Sequence, residues 1–187
     1  ALPPRPYALA GPLIPGNTTM ISAWDIPADP IYDESLDGKP EADDIRLCYR
    51  IFTNTQQEAS GISSGSVTCG NCHLNAGQRE RALPLVGVSA AYPEMNRRAE
   101  RMFTIEDRII ECFMRSENGT AKTANFPTPE SREVKAVKAY LDWLSRGHEK
   151  GKSPAWRGKN GIPPDKQIPV AKLDAKAGEG LFLEKCV

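Results

Sequence analysis

Residues 69–73 read Cys-Gly-Asn-Cys-His, and no other stretch narrows the fold of the chain as much. Two thiols bracketing two residues can be a redox dithiol, half of a zinc site or the anchor of a haem. A redox dithiol belongs to a strand-to-helix junction, whereas "SSGSVT" ahead of Cys69 is turn-like. Zinc needs a second pair of ligands at short spacing, but the chain has only two histidines, and the other, His148, lies far downstream in "SRGHEKGK". CxxC followed directly by His is the attachment pattern of c-type haem. The thiols form thioethers to the vinyl groups, and the adjacent imidazole becomes the proximal iron ligand. The expectation is covalent haem c on Cys69 and Cys72, with His73 on the iron.

Five cysteines are present, Cys48, Cys69, Cys72, Cys112 and Cys186, and an odd count at irregular spacing makes a poor disulfide framework. In bacteria c-type haem is attached outside the cytoplasm, so a periplasmic location is expected. The N-terminus lacks the basic-then-apolar layout of a signal peptide, which fits a mature exported chain. No apolar run approaches the roughly 20 residues that span a bilayer, so no transmembrane segment is expected. Basic and acidic residues balance at 24 each, for a net charge of +0. Bulk attraction to nucleic acid is therefore not expected, and any preference for anions must come from local placement of arginines.

At 187 residues the chain can hold one sizeable core, or one domain and part of another. Prolines cluster in "ALPPRPYALAGPLIPG" and "GIPPDKQIPV", which read as extended segments. A short helix is expected over 43–54, where Ile45, Leu47, Ile51 and Phe52 give a partly helical apolar pattern. "RALPLVGVSAAYPEM" reads as irregular. "TIEDRIIECFMRSENG" then reads as a helix capped by Thr104, with Asp107 in the capping-box position and Gly119 as a stop. "PESREVKAVKAYLDWLSRG" is a second strong helix with Val134, Val137, Tyr140, Leu141 and Leu144 along one side, ending at Gly147. "KSPAWRGKNGIPPDKQIPVAKLD" looks like a linker. "AKAGEGLFLEKCV" looks like a new helix arriving at a new cysteine, a counterpart of "IRLCYRIFTN" ahead of the haem loop.

Haem iron needs a sixth ligand or an open position. Ile105, Ile109, Cys112 and Phe113 share one helix face, and Arg108 and Arg115 lie four before and three after Cys112. Their guanidinium groups can bracket its sulfur, although lone cysteines on such faces are mostly small buried hydrophobes. A Cys112 thiolate would push electron density onto iron, and flanking cations would stabilise it and draw in an anion. His148 follows the end of its helix in a charged stretch and reads as exposed. Met20, Met95, Met102 and Met114 are further candidate ligands that read mainly as packing. Cys48 reads as a buried, inert thiol.

On "CGNCHLNAG", "YPEMNRRAE", "RIIECFMRSENG" and "YLDWLSRG", in that order and spacing, the chain resembles the catalytic half of the bacterial dihaem thiosulfate dehydrogenases. These are periplasmic c-type cytochromes related to the haem-binding subunit of the sulfur-oxidising pathway. The resemblance spans about residues 43–147. It implies axial ligation by His73 and Cys112, and a thiosulfate site lined by Arg98, Arg108 and Arg115, with Arg97 and Arg101 competing for the role of Arg98. The implied reaction joins two thiosulfate ions into tetrathionate and releases two electrons, with the reverse direction open. The Cys112 sulfur would act at the iron, or leave it to bond the sulfane sulfur of one thiosulfate. Family members carry a second CxxCH domain, and Cys186 looks like the first cysteine of such a motif, so a second haem is expected if the chain continues past Val187.

The expected architecture is mainly α: an extended arm over 1–42, a class I-like cytochrome c domain over 43–150, a linker over 151–173 and the stub of a second cytochrome c domain over 174–187. Electrons would pass to a second haem, a c-type cytochrome or another periplasmic acceptor. Two alternatives stay open at this level. One is a pure electron carrier, in which Cys112 or a methionine merely closes the coordination sphere. The other is a cytochrome subunit of a larger respiratory or sulfur-oxidising complex without its own substrate.

Overall fold

The computed structural model describes residues 30–64, 66–79, 82–117, 125–157 and 164–186. Most of the expected N-terminal arm, with Met20, lies outside the described residues, as do Gly119 and Val187. The chain divides into two units, residues 1–157 and 158–187, and the boundary falls inside the segment expected to be a linker.

The first unit is built on two packed helices, α1 (Ala42–Thr53) and α6 (Arg132–Leu144). In α1, Asp43 and Asp44 occupy the first turn, where carboxylates complement the helix dipole. Ile45, Cys48, Ile51 and Phe52 recur at three- and four-residue spacing and are all buried, so Cys48 is the interior thiol its sequence context suggested. Burial pushes its pKa well up. In α6, Val134, Val137, Tyr140, Leu141 and Leu144 are all buried, as their spacing predicted. Each such side chain removed from water contributes about 1.5–3 kcal/mol. The helix ends at Leu144, earlier than expected, and Gly147 sits at φ +77° in the turn beyond.

Two short helices, α2 (Thr55–Glu58) and α3 (Cys69–Cys72), and a tight turn, α4 (Leu74–Gly77), lie between these partners in sequence. Asn75, Ala76 and Gly77 all have positive φ, at 54°, 51° and 82°. α6 anchors that turn. The buried Tyr140 hydroxyl donates to the Ala76 carbonyl at 2.9 Å and accepts from Gln78 Nε2 at 3.3 Å.

At the end of the segment read as irregular a small antiparallel hairpin begins, β1 (Glu94–Asn96) with β2 (Arg101–Phe103), in which Met95 faces Met102. Its turn closes on Asn96, whose Oδ1 accepts from the backbone N–H groups of Arg98 and Ala99, both at 3.0 Å. Helix α5 (Ile105–Arg115) follows with the expected capping box. Thr104 Oγ1 accepts from the Asp107 N–H at 3.1 Å, and Asp107 Oδ2 accepts from the Thr104 N–H at 2.9 Å.

The second unit contains α7 (Ala175–Lys185), capped by Asp174, which accepts from the Ala177 N–H at 2.9 Å. It runs into the exposed Cys186, as expected. The stretch before it is not wholly extended, since Pro164–Lys166 and Val170–Lys172 form short 3-10 turns. Among the described residues, no helix is long and apolar enough to cross a membrane.

Candidate haem and substrate site

The CxxCH turn is held against the end of α1 by backbone contact. A Cβ at Gly70 would come within 2.7 Å of the Phe52 carbonyl oxygen, so the first residue between the two thiols has room only for glycine. Thr55, fully buried, makes the second clamp. Its hydroxyl accepts from the Cys69 N–H at 3.1 Å, and its proton lies between the Ile51 carbonyl at 2.7 Å and the Cys69 sulfur at 3.4 Å. Thr68 N–H donates to Asn71 Oδ1 at 2.7 Å and closes the turn from its open side.

His73 leaves this turn with its ring packed near Phe52, centroids 6.2 Å apart. Its Nδ1 lies 2.6 Å from the Leu83 carbonyl oxygen, so Nδ1 carries the proton and donates it. Leu83 is brought back by the α4 turn, where the Leu85 N–H donates to the Gly77 carbonyl at 2.7 Å. The consequence is a fixed tautomer: Nε2 is left as the lone-pair donor, the state a metal-ligating histidine needs. Burial lowers the His73 pKa, and the nearby Arg108 charge lowers it further against the opposing pull of the Leu83 carbonyl. A neutral imidazole with a defined free nitrogen, beside two thiols on one helical turn, fits haem c.

Cys112, half-buried on α5, lies in electrostatic reach of this turn: its charge raises the pKa of Cys69, and the charge of Cys72 raises its own. Burial is the largest influence on Cys112 and raises its pKa; Ser116 and Arg108 oppose it without cancelling it. Flanking cations alone therefore do not make the thiolate expected from sequence, and a bound metal ion is the stronger means of removing that proton. Burial likewise raises the carboxyl of Glu117, which is 2% exposed beside Cys69.

The arginines are arranged differently from the simple bracket around the Cys112 sulfur. Glu111 receives both: Arg108 Nη1 donates to Oε2 at 2.6 Å and Arg115 Nη1 to Oε1 at 3.0 Å. Burial pushes the Glu111 carboxyl up, but the two guanidiniums outweigh it and hold it below the ordinary carboxylate range. Of the two arginines, Arg108 acts on Cys112, on His73 and on Tyr92. Arg108 also lines a cavity of about 280 Å³ with Arg97, Arg157, Tyr92 and Glu94. Arg98 is exposed in the hairpin turn, and Arg101 is engaged with Asp107 at 2.9 and 3.0 Å, so the cavity residue of this trio is Arg97.

Other candidates fall elsewhere. Met95 and Met102 are 58% and 50% exposed on the hairpin, and Met114 is half-buried on α5. His148 is not the exposed residue its sequence context suggested. Its ring is edge-on to Trp156 at 5.5 Å and sits over Gly87, with Nε2 buried. Glu111 lay within sequence reach, since it stands at helical spacing from both arginines. Arg157 gave no such signal, because it meets Glu94 across 63 residues of chain.

Residues 57–149 match the SoxA/TsdA cytochrome c domain. The chain is 32% identical over 142 residues to the thiosulfate dehydrogenase of Psychrobacter arcticus, an alignment covering 76% of this chain and 40% of that protein. It is 29% identical over 136 residues to that of Stutzerimonas stutzeri, covering 73% and 41% respectively. The solved thiosulfate dehydrogenase (TsdBA) from Marichromatium purpuratum, in its as-isolated form, superposes with a TM-score of 0.65 at 31% identity, over 79% of this chain and 31% of that one. The chain thus spans about two fifths of the length of these curated relatives. A mainly helical fold around a CxxCH turn, matched in sequence and in structure, identifies residues 57–149 as a cytochrome c domain of the SoxA/TsdA family, with covalent c-type haem as its cofactor.

Proposed function

We propose that the chain is the catalytic, haem-bearing part of a periplasmic thiosulfate dehydrogenase. The expected division carries over as part of this reading: an arm over 1–42, a catalytic domain over 43–150, a linker over 151–173 and the beginning of a second cytochrome c domain over 174–187, with Cys186 as its first haem thiol. Cys69 and Cys72 would hold the haem as thioethers, and His73 Nε2 and the Cys112 sulfur would be the donors to its iron. The observation that supports the reading is that Cys112 lies in electrostatic reach of the CxxCH thiols, with Arg108 in reach of both Cys112 and His73.

When bound, the haem supplies a one-electron acceptor that hands electrons on to a second haem, a c-type cytochrome or another periplasmic carrier. The Cys112 sulfur bonds the sulfane sulfur of one thiosulfate, and two electrons leave as the S–S bond forms. The sulfane sulfur of a second thiosulfate then attacks that adduct, tetrathionate departs and the Cys112 thiolate is restored. Two thiosulfate dianions thereby become one tetrathionate dianion and two electrons. The two-step route divides a difficult bond formation. Arg108 offsets repulsion between the anions through charge-assisted hydrogen bonds, with Arg115 and Arg97, which takes the role expected of Arg98, contributing from the edge of the site.

The test is thiosulfate-dependent reduction of ferricyanide by the haem-loaded protein, with Cys112→Ser as the decisive variant. Haem remains attached, because Cys69 and Cys72 are untouched, while turnover is lost and the thiolate signature in the electron paramagnetic resonance of the oxidised protein disappears. Full turnover in Cys112→Ser would falsify this function.

A further inference from the structure

The Arg108 cavity holds a cationic group that the two-anion reaction does not yet use. Arg97, Arg157 and Arg108 line it against one lining carboxylate, Glu94, while Arg108 also meets Glu111 behind the lining, so cations outnumber the carboxylates around the cavity. Arg157 is not a loose surface side chain. Its Nη1 and Nη2 donate to Glu94 Oε2 at 2.7 Å and Oε1 at 2.6 Å, and Nη1 also reaches Ser153 Oγ at 3.1 Å. Guanidinium carries five N–H donors, and these three bonds leave Nε–H and one Nη2–H unengaged among the described residues. The preceding residue is pinned as well, since Trp156 Nε1 donates to the Val86 carbonyl at 3.2 Å. The Arg157 fork is therefore held in place before any anion arrives, and little side-chain freedom remains to be lost on binding.

Tyr92 stands between the two cations. Its hydroxyl is shifted to about 12, chiefly by burial and then by the Glu94 charge, and its one proton is donated to Glu94, so Tyr92 helps to fix that carboxylate. Glu94 is drawn below its ordinary value, first by its hydrogen bond to Arg157. It stays ionised and keeps the fork in register.

We propose that this cavity is a second anion subsite, built by Arg157 with Arg97 beside Arg108, which takes a small tetrahedral dianion such as the sulfonate end of thiosulfate. The assignment rests on the proposed thiosulfate chemistry and extends it, since one substrate is taken at Cys112 and a second must be held nearby. Arg108 is the shared wall, lying in electrostatic reach of Cys112 and lining the cavity. Arg157 is the binding residue in this scheme, and Tyr92 positions it through Glu94. Neither is asked to move a proton.

A purely structural role for the Arg157–Glu94 pair predicts the same outcome for either partner's removal. A subsite predicts opposite signs. In the haem-loaded protein, Arg157→Gln should raise the thiosulfate KM roughly tenfold or more. Glu94→Gln removes the competing negative charge and should lower it, by roughly twofold to fivefold. Equal increases in both variants, or no change in Arg157→Gln, would overturn the subsite. Selenate, a tetrahedral dianion visible by anomalous scattering, gives a readout independent of turnover. Soaked crystals of the wild-type protein should show a peak between Arg108 and Arg157 that is absent from Arg157→Gln. An empty cavity in the wild type would overturn the subsite even if turnover is normal. A selenate peak in a protein with no thiosulfate turnover would leave the subsite standing and sink the proposed reaction instead.

Discussion

Helices α5 and α6 are close in length, yet they serve the molecule in opposite ways. In α6, Val134, Ala136, Val137, Tyr140, Leu141, Trp143 and Leu144 are buried, and its polar side is satisfied locally by Lys138 and Asp142, 2.6 Å apart. In α5 only Ile105, Ile109 and Phe113 are buried. Between them run partly covered groups: Cys112 and Glu111, with Arg108 and Arg115 folded onto the carboxylate. The difference is one of commitment. A helix sunk into the core has no side chains to lend, while one that rests on the core with a narrow stripe can present thiol, acid and guanidinium together to a crevice. The lesson is that a narrow apolar stripe on α5 is what makes room for a site.

The sharpest way to break that contrast is to truncate α6. Leu144 is fully buried, so Leu144→Ala should cost about 2–5 kcal/mol, visible as a lower urea midpoint. Folded protein should retain the KM of the proposed reaction, because among the described residues no hydrogen bond of the site runs to Leu144. A KM shift without destabilisation would mean that α6 is part of the binding apparatus after all.

Next in size is α5 itself. Arg108 is exposed along part of its side chain, but a hydrogen bond to a charged group still contributes about 1.5–3 kcal/mol, so Arg108→Gln should lower kcat/KM roughly tenfold or more. Arg115→Gln should do less, since Arg115 pairs with Glu111 but is not among the charges acting on Cys112. Arg132→Gln, at the exposed start of α6, should stay within about 0.5 kcal/mol in stability and leave turnover alone. Equal losses for Arg108 and Arg132 would erase the distinction between the two helices.

How much of this was legible beforehand follows from sequence distance. The CxxCH motif, the α6 stripe and the Thr104–Asp107 box are local patterns, written within five to fifteen or so residues, and helical periodicity exposes them directly. The tautomer of His73 was hidden because it depends on Leu83, which is returned by three consecutive positive-φ residues of which only one is glycine. The hairpin was hidden because each strand has only three residues, too few for alternation to register. The Arg157–Glu94 pair was invisible for the plainest reason: its partners belong to distant segments, and nothing in either segment names the other.

The smaller effects concern how α5 begins. Thr104→Ala removes the acceptor for the Asp107 N–H and should cost about 1 kcal/mol, read from the thermal midpoint. Asp107 itself offers a finer test through pH. The Arg101 guanidinium beside it, followed by the Thr104 N–H, lowers its carboxyl from 3.8 to about 2. A depressed folded-state pKa means that the stabilisation is fully present above the unfolded value and is lost as pH falls through the folded one. The window is therefore about pH 4 down to about pH 2. The difference in stability between the wild type and Asp107→Asn should be constant above that window and shrink steadily across it. Using the difference cancels changes that acid causes elsewhere, such as at His73. Because Arg101 is exposed, added salt should also reduce the difference at neutral pH. A difference that is flat from pH 6 to pH 2 would mean that the α5 cap works through neutral hydrogen bonds alone, and that the hairpin's Arg101 does nothing to set the helix that carries Cys112.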